Sequence, residues 1–130
     1  MRLADTSFWV ALAAARDHNH AAAVELWTRQ ERPVVVTNHV AGETWTFLRH
    51  RAGHSVASLA LDVFRSAQVQ LLHVEERIED EAWKWLRRHD ERPYSFVDAT
   101  SFGVMRRLRI REALTFDANF SAAGFAVVSA

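Results

Sequence analysis

The 130-residue chain contains no cysteine. It therefore cannot form a disulfide, bind zinc or an iron–sulfur cluster through thiolates, or use a cysteine nucleophile. Lysine is nearly absent too, since Lys84 is the one lysine among 16 basic residues. Lys84 stands between two tryptophans in an acidic segment without a glycine-rich loop, which disfavours a P-loop, a Schiff-base lysine and a kinase-type lysine.

Proline and glycine are scarce as well, with two and four residues. Most of the chain is therefore expected to form regular structure, without linkers or repeats. A content of 49% hydrophobic and 25% charged residues is typical of globular proteins, and the length predicts one domain over residues 1–130. The apolar run at residues 8–15 is too short to cross a membrane and matches a signal peptide only weakly.

Short apolar segments alternate with helical patterns along the chain. Val34–Thr37 is β-branched throughout, which is typical of a strand buried on both faces of a parallel sheet. Leu59, Val63 and Phe64 are expected to face the core. Further strands are predicted at residues 2–4, 69–74, 113–116 and 125–128, helices at 8–15, 20–29, 38–53, 55–67, 75–88 and 95–108, and a loop at 117–123. The alternation predicts an α/β fold around a parallel sheet.

Four acidic residues stand near the predicted carboxyl ends of strands. Asp5 and Asp117 directly follow predicted strands, and Glu43 lies about one turn into the helix after Val34–Thr37. Asp98 opens the helix that follows the Pro93 loop. Open α/β sheets bind ligands at this edge, so the four side chains are expected to converge there.

Converging carboxylates repel one another, and a divalent cation is the usual compensation. An oxygen-rich site suits Mg²⁺ or Mn²⁺, which can activate water and neutralise charge on a phosphoryl group. The lack of cysteine and of a His-x-x-x-His pattern argues against zinc.

Each acid taken alone has a simpler explanation. Asp5 is a good helix cap, and Asp98 has the spacing from Ser95 of a capping box. Asp117 suits an Asx turn, and Glu43 suits a solvated helix surface. The shared position relative to the strands, together with the flanking residues, favours a common site.

The flanking residues resemble the motifs of PIN domains. Four segments carry the resemblance, in the order of the family: Asp5-Thr6-Ser7-Phe8, residues 38–44 (NHVAGET), residues 95–102 (SFVDATSF) and residues 114–120 (LTFDANF). The match spans the whole chain, and its length is similar to that of VapC-type toxins of bacterial toxin–antitoxin pairs.

This resemblance implies a three-layer α/β/α sandwich around a mostly parallel sheet. It also implies a cytoplasmic endoribonuclease, dependent on Mg²⁺ or Mn²⁺, that hydrolyses RNA with metal-activated water and leaves 5′-phosphate and 3′-hydroxyl ends. Asp5, Glu43, Asp98 and Asp117 are then the catalytic and metal-binding acids. A cognate antitoxin protein and a homodimer are the implied partners, and no membrane is involved.

Three neighbouring polar residues are candidates for supporting roles. Thr6 and Thr115 flank the acids and could orient ligands or water, although packing or capping explains them equally well. Asn119 stands where many family members have a further acid, so the resemblance leaves open whether a second metal ion binds.

Nucleic-acid contacts must be local, because 16 basic residues balance 16 acidic ones. Arg49, Arg51 and Arg106 are candidates for binding RNA phosphates, and the alternative is that they favour helix C-termini through the dipole. Trp9 or Trp45 could stack on RNA bases, but packing in the core or an interface is the better explanation.

Two other functions fit parts of the pattern. An α/β phosphohydrolase or phosphoacceptor domain could use Asp5, but it would ordinarily need a lysine near the phosphate. A non-catalytic RNA- or protein-binding module is the other alternative, and clustered acids without a use would cost it stability.

Overall fold

The computed structural model describes residues 1–31 and 33–130. In this part of the chain, five strands alternate with seven helices. The strands are β1 (Arg2–Ala4), β2 (Val34–Thr37), β3 (Val69–Leu72), β4 (Glu112–Leu114) and β5 (Ala126–Val127). The helices are α1 (Thr6–Ala13), α2 (His20–Arg29), α3 (Asn38–Arg51), α4 (His54–Phe64), α5 (Glu76–Arg88), α6 (Phe96–Leu108) and α7 (Ala118–Ala122).

All five strands run parallel, in the order β3-β2-β1-β4-β5. The β-branched strand β2 is buried on both faces, since Val34 and Val36 pack into one hydrophobic core and Val35 into a second. Helices α1 to α4 supply the first core, and α5 to α7 supply the second. The predicted three-layer α/β/α sandwich is therefore confirmed, with an all-parallel sheet.

The central strands β1 and β4 end side by side. Ala4 pairs with Leu114, and the N–H of Asp5 donates to the Leu114 carbonyl at 3.1 Å. The chain leaves both strands at the same edge of the sheet, so the fold brings residues that are more than a hundred positions apart in sequence to one place.

The strand predicted at residues 113–116 ends earlier, at Leu114. The N–H of Phe116 donates to the Ser7 hydroxyl at 2.9 Å instead of to a neighbouring strand, which ends the ladder. Strands β3 and β5 are also shorter than the sequence predicts.

The prediction of a loop at residues 117–123 is wrong, because the segment contains the short helix α7. Asp117 caps this helix by accepting the N–H of Asn119 at 2.9 Å, and Phe120 anchors it in the second core. Five helical residues give too little periodicity for a sequence pattern to reveal.

The inward orientation predicted for Leu59 is also wrong, since this side chain is 64% exposed. The buried face of α4 consists of Ala57, Ala60 and Phe64, with Val63 packed partly against them. The small side chains of alanine let α4 pack closely against α3. Hydrophobicity alone does not predict that alanine, and not Leu59, faces the core.

Trp9 belongs to the core. It is 3% exposed, and its indole N–H donates to the Ala4 carbonyl at 3.1 Å. The alternative that Trp9 stacks on RNA bases is therefore wrong, and the preferred prediction that it packs in the core is confirmed. In the described residues, no helix is long and apolar enough to cross a membrane.

Candidate active site

The four predicted acids line one cavity beyond the carboxyl ends of β1 and β4. Asp5 follows β1 and Asp117 precedes α7, while Asp98 lies in the first turn of α6 and Glu43 lies in the middle of α3. The convergence predicted from strand ends is thus present in the fold.

Three of these acids form a tight group. Asp5, Asp98 and Asp117 each offer a carboxylate oxygen, and the three oxygens lie within 4.8 Å of one another. Glu43 is outside this group but faces the same cavity. The Thr6 hydroxyl donates to Glu43 Oε1 at 2.5 Å, so Thr6 holds this carboxylate in place.

The three grouped acids are helix caps as well. Asp5 Oδ1 accepts the N–H of Phe8 at 3.3 Å, which caps α1. Asp98 Oδ2 accepts the N–H of Ser95 at 3.1 Å in the predicted capping box. Each cap occupies one oxygen of its carboxylate, as Asp117 Oδ1 does in α7, so capping does not exclude a ligand on the other oxygen.

Burial and mutual repulsion change the acidity of the cluster. Asp5 is 5% exposed, and this burial raises its pKa to about 7, more than the hydrogen bonds from Ser7 and Phe8 lower it. Burial also raises the pKa of Asp98, and the negative charge of Asp117 adds to the effect. Asp5 is therefore a buried carboxyl group, and no positively charged side chain stands among the described residues that line its cavity.

The composition of the cavity fits a hard divalent cation. Among its described lining residues there is no lysine, arginine or histidine to offset the four carboxylates. Ser101 Oγ lies in the lining, buried and without a hydrogen-bond partner in the described structure. An oxygen-only donor set of this kind suits Mg²⁺ or Mn²⁺ better than zinc.

The chain is similar to known proteins over nearly its whole length. The family model described as "PIN domain" matches residues 2–126. The chain belongs to the PIN domain family. The resemblance stated from the four sequence motifs is thereby confirmed.

Individual relatives of this PIN domain extend the finding. Two curated sequences are 52% identical over 128 residues, covering 98% of each chain: the "23S rRNA-specific endonuclease VapC20" of Mycobacterium tuberculosis strains CDC 1551 / Oshkosh and ATCC 25618 / H37Rv. The crystal structure of Mycobacterium tuberculosis VapC20, described as a "Sarcin-Ricin loop cleaving toxin", matches with a TM-score of 0.97 at 50% identity and full coverage of both chains. The VapC-type identification made from the sequence is confirmed.

Two side chains near the acids of this PIN domain make contacts that the sequence does not predict. Ser7 Oγ donates to Asp5 Oδ1 at 2.7 Å, and it accepts the N–H of Phe116 at 2.9 Å. In the sequence, Ser7 belongs to the Asp5-Thr6-Ser7-Phe8 segment, but nothing there indicates its contact with Phe116. The second is Arg92, whose place in an irregular loop gives no periodic signal.

Asn119 connects Arg92 to the acid cluster. Its Nδ2 donates to Asp98 Oδ2 at 3.1 Å, and its Oδ1 accepts from Arg92 Nε at 2.8 Å. Thr115 helps to position Asp117, because its hydroxyl accepts the N–H of Asp117 at 2.9 Å. The same hydroxyl lies 3.2 Å from Ser7 Oγ.

The three arginines that the sequence suggests for RNA binding lie in different places relative to the acid cavity. Arg51 lies over the ring of Phe47, 5.0 Å from its centre, and Phe47 lines the acid cavity. Arg49 is exposed and does not line that cavity. Arg106 lies beside Glu81 of α5, remote from the N-terminal turn of α6 that carries Asp98.

Proposed function

We propose that this PIN domain is an endoribonuclease toxin whose substrate is 23S ribosomal RNA, cut in the sarcin–ricin loop. The observation that carries the proposal is the group of Asp5, Asp98 and Asp117, whose carboxylate oxygens approach within 4.8 Å in an open cavity. Support for the substrate comes from the names of relatives that are 50–52% identical over essentially the full chain.

We infer that the cluster holds Mg²⁺ or Mn²⁺ through Asp5, Asp98 and Asp117, with Glu43 completing the acidic site. When bound, such an ion lowers the pKa of a coordinated water and neutralises charge on the phosphate. The donor set supports this inference, since all available ligand atoms are oxygens and no basic residue stands among the described cavity lining.

The protein's own residues prepare the reaction. Ser7 and the N–H of Phe8 fix one oxygen of Asp5, and Thr6 fixes Glu43 Oε1. Glu43 Oε2 is then free to accept a hydrogen bond from the attacking water and orient it. The water oxygen bonds to phosphorus and releases a proton to solvent, while the P–O3′ bond breaks and the leaving O3′ takes up a proton from solvent. The products carry a 5′-phosphate and a 3′-hydroxyl.

We infer that residues 1–130 act as one domain, because the acids reach the cavity from segments that extend from residue 5 to residue 117. A cytoplasmic location follows from a ribosomal substrate. We also propose a homodimer and a cognate antitoxin protein as partners. Large apolar side chains such as Leu59 and Trp83, which are 64% and 54% exposed, leave surface for both. Light scattering of the protein, alone and after co-expression with its antitoxin, tests these partners.

RNA cleavage tests the proposed function. Wild type, Asp98→Asn and the matched control Asp62→Asn, an exposed acid on α4, are incubated with a 23S rRNA fragment in Mg²⁺, Mn²⁺ or EDTA. We expect metal-dependent cuts by wild type and Asp62→Asn, with 5′-phosphate ends in the sarcin–ricin loop, and a loss of at least about a hundredfold in Asp98→Asn. Equal cutting by Asp98→Asn, or cutting in EDTA, would show that the acid cluster is not the active site.

A further inference from the structure

Arg92 is linked to the acid cluster through the side chain of Asn119. It lies in the loop between α5 and α6, and its Nε donates to Asn119 Oδ1 at 2.8 Å. The other end of the same amide donates to Asp98 Oδ2 at 3.1 Å. One side-chain amide therefore separates the guanidinium from a carboxylate of the tight group.

The charge of Arg92 is not neutralised by an acid. In the part of the chain that the structure describes, Arg92 forms no ion pair with a carboxylate, whereas Arg2 pairs with Glu112 and Arg29 pairs with Glu25. Within residues 1–31 and 33–130, its side-chain hydrogen bond goes to the neutral amide of Asn119. A guanidinium has five N–H donors, so the outer nitrogens remain available for an anion.

The cavity has no positively charged side chain among its described lining residues. Its described lining combines four carboxylates with apolar and neutral polar side chains. An RNA phosphodiester that enters the cavity would be repelled by these carboxylates. One bound divalent ion would offset only part of their negative charge. Pro93, the neighbour of Arg92, lines the cavity, which places the Arg92 loop at its rim.

We propose that Arg92 binds a phosphate of the RNA at the rim of the acid cluster, and that Asn119 positions its guanidinium for this contact. The inference rests on the proposed ribonuclease function and adds a substrate-binding residue to it. A planar guanidinium is well suited to phosphate because two N–H groups can donate to two oxygens.

The identity of residue 119 supports the assignment. An acid at this position would form an ion pair with Arg92 and cancel its charge. Asparagine accepts the same hydrogen bond without a charge, and it donates to Asp98 as well. The amide thus fixes the direction of Arg92 and leaves its positive charge for the substrate.

RNA binding by charge variants tests the proposal. Arg92→Gln retains an amide that can donate to Asn119 but has no charge, whereas Arg92→Lys retains the charge. The matched control is Arg88→Gln, on the exposed C-terminal end of α5. Binding of a sarcin–ricin-loop oligonucleotide is measured in EDTA, where cleavage does not interfere, at several salt concentrations. Thermal unfolding of each variant is measured in parallel.

We expect Arg92→Gln to bind about tenfold more weakly and to reduce the salt slope of log K by about one, while Arg88→Gln changes neither. Arg92→Lys should recover the slope and part of the affinity. In Mg²⁺, Arg92→Gln should raise KM and leave kcat within about twofold, because the residue binds substrate without taking part in the bond changes.

Three results would overturn the assignment or its basis. Unchanged affinity and slope in Arg92→Gln, with a wild type that cleaves normally, would reject the role of Arg92 alone. Equal losses in Arg92→Gln and Arg92→Lys, accompanied by the same drop in Tm, would show a purely structural role. A wild type that neither binds nor cleaves the oligonucleotide would reject the proposed function, and the Arg92 contact with it.

Discussion

At the scale of single residues, the same three side chains serve as helix caps and line the proposed metal site, with one oxygen of each carboxylate used for the cap. Asp5, Asp98 and Asp117 each cap a helix with one oxygen and face a common cavity. The sequence could predict both roles, because capping follows from local spacing and convergence follows from strand ends. It could not predict Ser7 or Arg92, whose contacts cross from one segment of the chain to another.

Removal of the Asp5 charge should stabilise the metal-free protein. The pKa of Asp5 is about 7 in the folded chain, against an ordinary value of 3.8, so the folded state binds the proton more tightly than the unfolded state. The unfolding free energy therefore falls as the pH rises from about 4 to about 7. Asp5→Asn should raise it at pH 8 by on the order of 2 kcal/mol, with a smaller difference near pH 5.

Urea denaturation in EDTA at pH 5 and pH 8 measures this difference, with Asp62→Asn as the control for loss of an exposed charge. A variant that is less stable than wild type at both pH values would show that Asp5 acts mainly as the cap of α1. The idea of a strained acid cluster would then lose its main support.

At the scale of elements, patterns with several repeats are predictable and short or small-residue elements are not. The β-branched strand β2, the Ser95–Asp98 capping box and the helix α5 all appear where the sequence places them. Helix α7 depends on one cap and one buried aromatic ring, and the inner face of α4 is largely alanine. In both cases tertiary packing decides the structure, and packing is not visible in local hydrophobicity.

The contact between α5 and α6 predicts opposite effects for two glycine substitutions. A Cβ on Gly103 of α6 would lie 2.8 Å from Ile78 Cγ2, in a buried part of α5. Gly103→Ala should therefore lower the unfolding free energy by about 1–3 kcal/mol, despite the better helix propensity of alanine. Gly42 on α3 meets nothing within 4 Å, so Gly42→Ala should raise it by up to about 1 kcal/mol.

Chemical denaturation of both variants checks this pair. Equal stabilisation by the two alanines would mean that Ile78 moves aside at little cost, and that α5 and α6 are packed less tightly than the structure indicates.

At the scale of the whole molecule, the strand order brings distant residues into one site. Because β1 and β4 are neighbours, Asp5 and Asp117 meet across 112 positions of sequence, and the crossover through α5 and α6 brings Asp98 to the same group. The zero net charge conceals an uneven distribution, with carboxylates in the cavity and Arg92 at its rim. This separation of charge is what a cation and an RNA phosphate together would require.

A Mn²⁺ titration decides whether the acid cluster holds the catalytic cation, with bound ion measured by electron paramagnetic resonance and RNA cleavage measured in the same samples. If the acid cluster holds the catalytic cation, binding and cleavage will reach half-saturation at the same concentration, and Asp117→Asn will shift both together. Cleavage that persists in EDTA, or ion binding that saturates with no matching rise in cleavage, would show that the acid cluster does not hold a catalytic cation.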